Sequence, residues 1–369
     1  MILLVEPWIN KEEAKQLKRV IDSTFVTEHD LTKEFELLTK NLTGSSHAIS
    51  IANGTLALFA SMKALDIGPG DEVIVPNITF AATANAVILA GATPILSEVS
   101  EKTFCMNADA VSKNITSRTK ALIPVHLYGQ SPDMNQIMKL AEENSIYVIE
   151  DAAQGVGVSF QGKHAGTFGD LGVLSYYGNK TITTGEGGMV LTKNKDLAKR
   201  VYQLKNHGRS EKGTFIHETI GYNFSFTEMQ AAIGIAQMTK LKKIKEKKRK
   251  IFEYYSKKLE ALKEFIEPQY FDKRVDPVYW LSSFMCSDVE GLSKFLLEKH
   301  DIQTRRAFYP LHLQPCYQKS KVIPNIKDDF PISLDCYQKF ISLPSAYYLD
   351  EQSIDKVIHA IKAYYENRY

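Results

Sequence analysis

A single lysine in a glycine-rich loop is the strongest candidate for chemistry in this sequence. Lys180 lies between two apolar runs, Leu171 to Tyr177 and Gly188 to Thr192, and the loop around it is rich in Gly, Asn and Thr. Glycine tolerates unusual backbone angles and lets the backbone approach a ligand closely. A lysine on such a loop can form a Schiff base with a carbonyl compound. An ordinary solvated loop lysine fits the same pattern, so other motifs have to decide between the two.

A carboxylate at a predicted strand end is the second candidate. Residues 146–149 form a short apolar run that predicts a buried strand, and Asp151 and Gln154 follow it. Open α/β sheets bind their ligands beside the carboxyl ends of the strands, so Asp151 stands in a catalytic position of such a fold. The alternative is that Asp151 caps a helix beginning at this point.

Two further segments suit a flat ligand that carries a phosphate. Residues 48–52 predict a strand and residues 56–65 a helix, with Gly54 and Thr55 at the junction. Backbone N–H groups at such a helix start attract phosphate. Phe80 follows another predicted strand, and its ring is placed to stack on a flat cofactor. An ordinary helix cap explains the first segment as well, and core packing explains the second.

The elements that must position these residues alternate between strands and helices up to about residue 235. This alternation predicts a mainly parallel sheet with helices on both faces. A long helical pattern follows at 228–251, and its second half is rich in lysine. A solvated helix face explains this run better than an anion-binding surface.

The remainder of the chain predicts a smaller α+β unit. Its expected elements are helices at 252–262, 292–300 and 351–365 and strands at 279–287 and 302–306. We therefore predict an α/β fold in two domains. Residues 1–240 form the large domain with an N-terminal arm, and residues 241–369 form a linking helix and the small C-terminal domain.

Composition excludes several classes of function. A chain of 369 residues with 44% hydrophobic and 24% charged residues suits a soluble protein with a sizeable core. The net charge of +2 gives no reason to expect nucleic-acid binding. We find no signal peptide and no apolar run near the roughly 20 residues that span a bilayer. The four cysteines are widely spaced and form no metal-ligand pattern, so we predict no metal site. They are typical of the reduced thiols of a cytoplasmic protein. Because no apolar run could span a bilayer, we also predict no membrane partner.

Together the candidates match the parts that a pyridoxal phosphate enzyme needs. These parts are a lysine, a carboxylate beside the pyridine nitrogen, a phosphate cup, an aromatic plate over the ring and a donor near the ring hydroxyl. In that order the chain offers Lys180, Asp151, Gly54 and Thr55 with Ser175, Phe80, and Gln154.

The chain resembles the DegT/DnrJ/EryC1/StrS family of sugar aminotransferases, which have the aspartate-aminotransferase fold (type I). The resemblance covers nearly the whole chain. It rests on NGTLAL (53–58), GPGDEVIVPNITFAAT (68–83), PVHLYGQ (124–130), VIEDAAQ (148–154), TFGDLGVLSYYGNKTITTGEGGMVLT (167–192), NHGR (206–209) and GYNFSFTEMQAAIG (221–234).

The resemblance implies pyridoxal 5'-phosphate as the cofactor, with pyridoxamine phosphate as the intermediate. It makes Lys180 and Asp151 catalytic, the first as the Schiff-base lysine and the second as the partner of the pyridine nitrogen. The other implied cofactor contacts are Gly54, Thr55 and Ser175 at the phosphate, Phe80 on the ring, Gln154 at the ring hydroxyl, and Asn223 at the phosphate of the neighbouring subunit. The implied active unit is therefore a homodimer whose sites are shared across the interface.

The resemblance also implies a reaction. Relatives that dehydrate the sugar carry histidine at the position of Lys180, so the lysine favours transfer of the amino group of L-glutamate to a keto group of a nucleotide-linked sugar. Segments 178–190 and 306–317 most resemble the perosamine synthases, which aminate C4 of GDP-4-keto-6-deoxymannose for surface glycans such as the lipopolysaccharide O-antigen. The implied substrate-binding residues are His312, Tyr309, Arg305 and Arg306.

Two departures from the family pattern keep other substrates open. Ser225 replaces an arginine found in many relatives, and Gln154 replaces a glutamate found in many perosamine synthases. The first alternative is the same chemistry on a dTDP- or UDP-linked 4-keto or 3-keto deoxysugar. A remote alternative is a non-catalytic regulatory protein with the same fold. For Arg305 and Arg306 the alternative is that they are ordinary surface arginines at the end of a strand.

Overall fold

The computed structural model describes residues 1–211 and 213–366. The strands are β1 His47–Ile51, β2 Glu72–Pro76, β3 Thr93–Ser97, β4 Thr119–Leu122, β5 Tyr147–Asp151, β6 Ser159–Phe160, β7 Lys163–His164, β8 Leu171–Ser175, β9 Gly188–Thr192, β10 Ile266–Pro268, β11 Val275–Asp276, β12 Ser282–Cys286, β13 Arg305–Arg306 and β14 Phe340–Leu343. The helices are α1 Lys11–Ser23, α2 Asp30–Thr43, α3 Gly54–Ala64, α4 Ala82–Leu89, α5 Ala108–Ser112, α6 Met134–Glu143, α7 Lys195–Lys205, α8 Glu228–Lys258, α9 Val289–His300, α10 Pro315–Ser320, α11 Pro331–Lys339 and α12 Glu351–Glu366.

A seven-stranded sheet in the order β1-β9-β8-β5-β4-β2-β3 forms the centre of the first part of the chain. Strand β9 runs antiparallel to both of its neighbours, and the other pairs are parallel. Along β2, Ile74 packs into one apolar cluster while Val73 and Val75 pack into another, because successive side chains point to opposite faces. Both faces are thus covered, and the predicted mainly parallel α/β sheet is confirmed.

A second, antiparallel sheet in the order β10-β12-β14-β13 forms in the C-terminal part of the chain. Its apolar face packs with α9 and α12 in a separate core cluster. This arrangement of two sheets agrees with the aspartate-aminotransferase fold that the resemblance implies. The division into domains at residue 240 stays a prediction.

One helix of 31 residues, α8, connects the two sheets. It begins after Thr227, which exchanges hydrogen bonds with Gln230 in a capping box. The helix continues to Lys258, so the predicted break between residues 251 and 252 is wrong. The sequence has no Gly or Pro there to end a helix, and Ile251, Phe252 and Tyr255 continue the apolar stripe into the core of the second sheet.

The lysine-rich half of α8 is only partly a solvated face. Lys242, Lys243 and Lys250 are exposed, as predicted. Lys240 and Lys248, in contrast, are 4% exposed and lie inside the protein. The prediction of a solvated run is therefore wrong at these two positions, because α8 is covered on more than one side.

Neither a membrane-spanning helix nor a metal centre occurs among the described residues. Within 1–211 and 213–366, the helices are too short or too polar to cross a bilayer. No group of three or more His, Cys, Asp and Glu side chains in the same ranges is arranged to hold a metal ion.

Candidate active site

Lys180 lies in the loop that connects β8 with β9. The loop folds back on itself, with the Lys180 N–H donating to the carbonyl of Tyr177 at 2.9 Å and the Thr183 hydroxyl donating to that of Tyr176 at 3.0 Å. Gly185 has φ +84°, a left-handed conformation that glycine adopts without strain. The polar residues that suggested a functional loop therefore stabilise the turn that presents Lys180.

The surroundings of Lys180 favour a neutral, nucleophilic amine. Its Nζ lies 4.6 Å from the centroid of the Trp280 ring. Burial lowers the pKa of Lys180, the negative charge of Asp151 acts in the opposite direction, and the positive charge of Arg305 adds to the lowering, so that the resulting pKa is about 8. A larger fraction of the amine is then unprotonated near neutral pH, as nucleophilic attack on a carbonyl requires. The structure thus places Lys180, Asp151 and Arg305 within electrostatic reach of one another.

Asp151 is the last residue of β5 and is 5% exposed. Its Oδ2 accepts a hydrogen bond from the Thr83 hydroxyl at 2.8 Å, and its Oδ1 accepts one from the backbone N–H of Ala153 at 3.1 Å. The chain turns after Asp151 and begins no helix there, so the alternative of a helix cap is wrong. The two hydrogen bonds hold the carboxylate in one orientation at the end of the sheet.

The residues predicted for a phosphate cup come together at the start of α3. The Asn53 Oδ1 accepts a hydrogen bond from the N–H of Leu56 at 3.0 Å and so caps the helix. A Cβ atom on Gly54 would lie 3.2 Å from the Cβ of Ser175, which shows that β8 runs directly against this turn. Gly54 and Thr55 occupy the first turn of α3, where backbone N–H groups have no partner within the helix. A phosphate at this point would meet these amides and the Ser175 hydroxyl.

Gln154 and Phe80 belong to a connected group of side chains. The Gln154 Oε1 accepts a hydrogen bond from the Tyr128 N–H at 2.7 Å, so its amide nitrogen remains as the donor group. Tyr128 has φ +51°, a strained value for a tyrosine, and its hydroxyl accepts a hydrogen bond from the Phe308 N–H. The Phe80 ring lies 5.8 Å from that of Phe308 and is 59% exposed. Phe80 is therefore not a core residue.

The predicted arginine and tyrosine contacts do not form one cluster. Arg305 and Arg306 are adjacent on β13, where successive side chains point to opposite faces. The positive charge of Arg305 lowers the pKa of Lys180. The Arg306 guanidinium, in contrast, lies 4.4 Å from the Tyr337 ring centroid and 3.7 Å from the Glu290 carboxylate. The Tyr309 ring lies edge-on to Tyr337, with the centroids 5.1 Å apart. The roles of all three residues toward a substrate stay predictions.

The last two candidate residues are His312, which is hydrogen-bonded to Asn77, and Asn223, which is exposed. The Asn77 side chain makes two hydrogen bonds with His312. Its nitrogen lies 2.8 Å from the His312 Nδ1, and its Oδ1 accepts a hydrogen bond from the His312 backbone N–H at 2.9 Å. Asn223 is exposed, and its Oδ1 accepts a hydrogen bond from the Ser225 N–H at 3.3 Å. An exposed position is compatible with the expected contact to a neighbouring subunit, and that role stays a prediction.

Sequence reasoning missed the buried carboxylate next to Asp151. Glu150 is fully buried and accepts four hydrogen bonds, from the His126 ring at 2.8 Å and from the amides of Gly166, Phe168 and Gly169 at 2.8, 2.5 and 2.8 Å. Burial raises the pKa of Glu150, but the hydrogen bonds and the charge of His126 outweigh it, so the pKa lies below its usual value. Glu150 thereby ties the segment leading into β8 to the end of β5.

Trp280 and Thr83 are two more contacts that sequence reasoning missed. Thr83 belongs to the segment 68–83 that carries the resemblance, which was the available signal for it. For Trp280 the only signal was composition, because the chain has just two tryptophans.

The residues present fit pyridoxal 5'-phosphate. An amine with a lowered pKa, an oriented carboxylate and a helix start against Ser175 correspond to the aldehyde, the pyridine nitrogen and the phosphate of that molecule. Lys180, Asp151, Gly54, Thr55 and Ser175 would hold it.

Comparison with known proteins identifies the family of the chain and several relatives. The sequence profile of the DegT/DnrJ/EryC1/StrS aminotransferase family matches residues 7–362. The GDP-perosamine synthase of Escherichia coli O157:H7 is 35% identical over 371 residues, which cover 100% of this chain and 99% of that protein. A UDP-N-acetyl-3-dehydro-alpha-D-glucosamine 3-aminotransferase of Acidithiobacillus ferrooxidans is 42% identical over 222 residues, or 60% of each chain.

A solved structure shares the fold. DesV of S. venezuelae, determined in complex with a ketimine intermediate, superimposes with a TM-score of 0.91 and is 31% identical, and the match covers 96% of this chain and 95% of that one. The two chains therefore share one fold over nearly their full length.

Proposed function

This chain belongs to the DegT/DnrJ/EryC1/StrS aminotransferase family, and from that premise we propose that it transfers the amino group of L-glutamate to the 4-keto carbon of a nucleotide-linked 4-keto-6-deoxy sugar. It is a pyridoxal phosphate-dependent transaminase. The observation that carries the proposal is the position of Lys180, whose amine has a lowered pKa and lies within electrostatic reach of the oriented Asp151 carboxylate.

Each residue of the site has a proposed task. When it is bound, pyridoxal phosphate supplies a conjugated ring that stabilises negative charge at the reacting carbon. Lys180 accepts a proton from that carbon and donates it to a second carbon, because burial brings the pKa of its amine down towards neutral pH. Asp151 keeps the pyridine nitrogen protonated, and Thr83 holds Asp151 in the orientation that this requires.

The favoured substrate is GDP-4-keto-6-deoxymannose, and the product is then GDP-perosamine. Support comes from the 35% identity to GDP-perosamine synthases of Escherichia coli O157:H7 and Vibrio cholerae, in alignments that cover 99% or more of this chain. We propose His312, Tyr309, Arg305 and Arg306 as its contacts. L-Glutamate is the proposed donor, and a homodimer with shared sites is the proposed active unit.

A UDP-linked 3-keto sugar is the second candidate substrate. The observation in its favour is the 42% identity, over 60% of the chain, to a protein named for amination of such a sugar. Ser225, which replaces an arginine of many relatives, also separates this chain from part of the family. A non-catalytic protein is the least supported reading, because Lys180 and Asp151 are both present.

The test follows labelled nitrogen from donor to sugar. We expect purified protein with pyridoxal phosphate and ¹⁵N-glutamate to release 2-oxoglutarate and to label GDP-4-keto-6-deoxymannose, as measured by mass spectrometry. The same assay with dTDP-linked 4-keto and UDP-linked 3-keto sugars compares the nucleotides. Labelling of the UDP-linked 3-keto sugar alone would replace the GDP-sugar proposal with the second candidate.

Two variants test the proposed roles in that assay. Lys180→Ala should lose turnover and should lose the cofactor–protein linkage that borohydride reduction followed by mass spectrometry locates on one lysine. Asp151→Ala should still bind cofactor but lose most of the rate, on the order of a hundredfold or more. Full transaminase activity of Lys180→Ala would overturn the assignment of the site.

A further inference from the structure

Trp280 contacts the proposed reacting lysine in two ways. Its ring centroid lies 4.6 Å from the Lys180 Nζ, and its indole N–H donates to the carbonyl of Asn179 at 2.7 Å. The side chain is 2% exposed and stacks on Tyr128, with the ring planes 13° apart. A single side chain therefore restrains both the backbone beside Lys180 and the space around its amine.

A buried lysine of α8, Lys248, contacts the backbone of Trp280. The Lys248 Nζ donates to the carbonyl oxygens of Trp280 at 2.9 Å and of Ser345 at 3.1 Å. Within residues 1–211 and 213–366, no carboxylate pairs with this ammonium group. Burial alone lowers the pKa of Lys248, to about 8.

Burying a lysine at position 248 costs stability. A buried ammonium group without a carboxylate is costly, and an apolar side chain of the same length would fill the space without that cost. What lysine adds is a set of N–H donors that hold two carbonyl groups together. One of these carbonyls belongs to Trp280, two residues before β12, and the other belongs to Ser345, which also donates its backbone N–H to Leu4.

We propose that Trp280 positions Lys180 and that Lys248 positions Trp280, so that three residues connect α8 with the reacting amine. This inference rests on the proposed role of Lys180. Trp280 is a positioning residue, because its ring closes one side of the space around Nζ and its hydrogen bond to Asn179 keeps the loop in place. Lys248 acts through Trp280, by holding the backbone from which the ring projects.

Fluorescence of the cofactor-free protein tests the relay independently of activity. The change Trp8→Phe leaves Trp280 as the sole tryptophan, because the sequence contains two. In this background Lys248→Met should make Trp280 more accessible to acrylamide quenching. The matched control is Lys243→Met, which alters an exposed lysine of the same helix and should leave the quenching unchanged.

Cofactor capture and turnover test the effect on Lys180. Trp280→Phe keeps an aromatic ring and removes the donor to Asn179, whereas Trp280→Leu removes both. We expect both variants and Lys248→Met to capture pyridoxal phosphate more slowly and to lower kcat about 10- to 100-fold, with KM for glutamate changed less than threefold, because small displacements of a reacting group have effects of that size. Trp280→Leu should be the most affected.

Two results would overturn the inference. Unchanged acrylamide quenching and capture in Lys248→Met would show that this lysine does not position Trp280, and capture and kcat within twofold of the parent in Trp280→Leu would show that the ring does not position Lys180. If circular dichroism showed Lys248→Met to be unfolded, Lys248→Leu, which also removes the N–H donors, would take its place in the quenching and capture measurements. Failure of the proposed function would look different, since the parent protein would then label none of the nucleotide sugars from ¹⁵N-glutamate while the quenching results still held.

Discussion

At the scale of single residues, a neighbouring amide sets the protonation of His312. The Asn77 Oδ1 accepts a hydrogen bond from the His312 backbone N–H, so the other end of that amide is nitrogen and donates to Nδ1. The neutral ring therefore carries its hydrogen on Nε2. Burial lowers the pKa of His312, with the charges of Glu98 and Asp329 acting in the opposite direction. The folded protein thus favours the neutral ring.

We predict that Asn77→Asp changes the pH dependence of the reaction. In the parent protein the neutral ring is present above the lowered pKa and is lost as the pH falls through it, which sets an acid limb below pH 6.5. A carboxylate at position 77 would accept a hydrogen bond from a protonated Nδ1 and raise the pKa of His312, so the acid limb should move to higher pH. The measurement is kcat/KM for the nucleotide sugar between pH 5.5 and 8.5.

The control for this prediction is Asn77→Ala, which removes the hydrogen bonds and adds no charge. It should lower kcat/KM about tenfold without the upward movement of the acid limb. An acid limb of Asn77→Asp that coincides with that of the parent would contradict a role of the neutral His312 ring in the reaction.

At the scale of elements, a buried ion pair fastens α1 to α8. The Lys240 Nζ donates to both carboxylate oxygens of Glu13, at 2.6 and 2.7 Å, and the two side chains are 5% and 2% exposed. Gln237 donates to the same carboxylate, and Lys240 also donates to the carbonyl of Trp8. Burial raises the pKa of Glu13, but these hydrogen bonds outweigh it and the pKa is lowered. The N-terminal arm and α1 are therefore held on the helix that connects the two sheets.

We predict that breaking this pair destabilises the protein and that replacing it does not. Glu13→Leu alone leaves a buried, unpaired ammonium group and should lower the free energy of unfolding by about 3–5 kcal/mol. The double change Glu13→Leu with Lys240→Met should remain within about 1 kcal/mol of the parent, because both charges are then absent. Urea unfolding of the cofactor-free protein, followed by circular dichroism, measures both values.

The pH dependence of this stability supplies a second check. Because the pKa of Glu13 is lowered on folding, its contribution is present above the ordinary glutamate pKa and is lost as the pH falls through the lowered value. The double variant should lack this loss below pH 4.5. A Glu13→Leu protein as stable as the parent at pH 7 would contradict the assigned role of the pair.

At the scale of the whole molecule, the site combines segments far apart in the chain. Asp151 comes from the end of β5, Lys180 from the loop after β8, Trp280 from the approach to β12 and Arg305 from β13. The first lies in the large sheet, the second in a loop between two of its strands, and the last two in the C-terminal part of the chain. The exposed Asn223 is the proposed contribution of a neighbouring subunit.

We predict that two inactive variants regain activity when they are mixed. If Asn223 serves the site of the neighbouring subunit, a heterodimer of Lys180→Ala and Asn223→Asp contains one site with both defects and one intact site. Random exchange of subunits should then restore about a quarter of the parent activity, because half of the dimers are mixed and each has one intact site. Turnover after mild denaturation and refolding of the mixture measures this.

The same mixture distinguishes a shared site from a self-contained one. Each variant refolded alone is the control and should stay inactive. If the mixture is no more active than the two controls together, Asn223 acts within its own subunit or not at all, and the proposed sharing of the site is wrong.

The sequence alone determined where several candidate site residues lie in the fold, namely those at a strand end or a helix start. The positions of Asp151 at the end of β5, Gly54 at the start of α3 and Lys180 in the loop after β8 were predictable, because parallel strands end at one edge and helix starts offer free amides. The alternation of strands and helices likewise predicted the mainly parallel sheet. These inferences need only local residue types and spacing.

Only the tertiary structure decided which residues surround those parts. Trp280 reaches Asn179 across 101 residues of sequence, and Lys248 reaches the carbonyl of Trp280 across 32. Two lysines of a run that suggested a solvated surface are buried, because the long helix α8 packs against elements on more than one side. The period of a helix shows which residues share a face, but what covers that face depends on the packing of the whole chain.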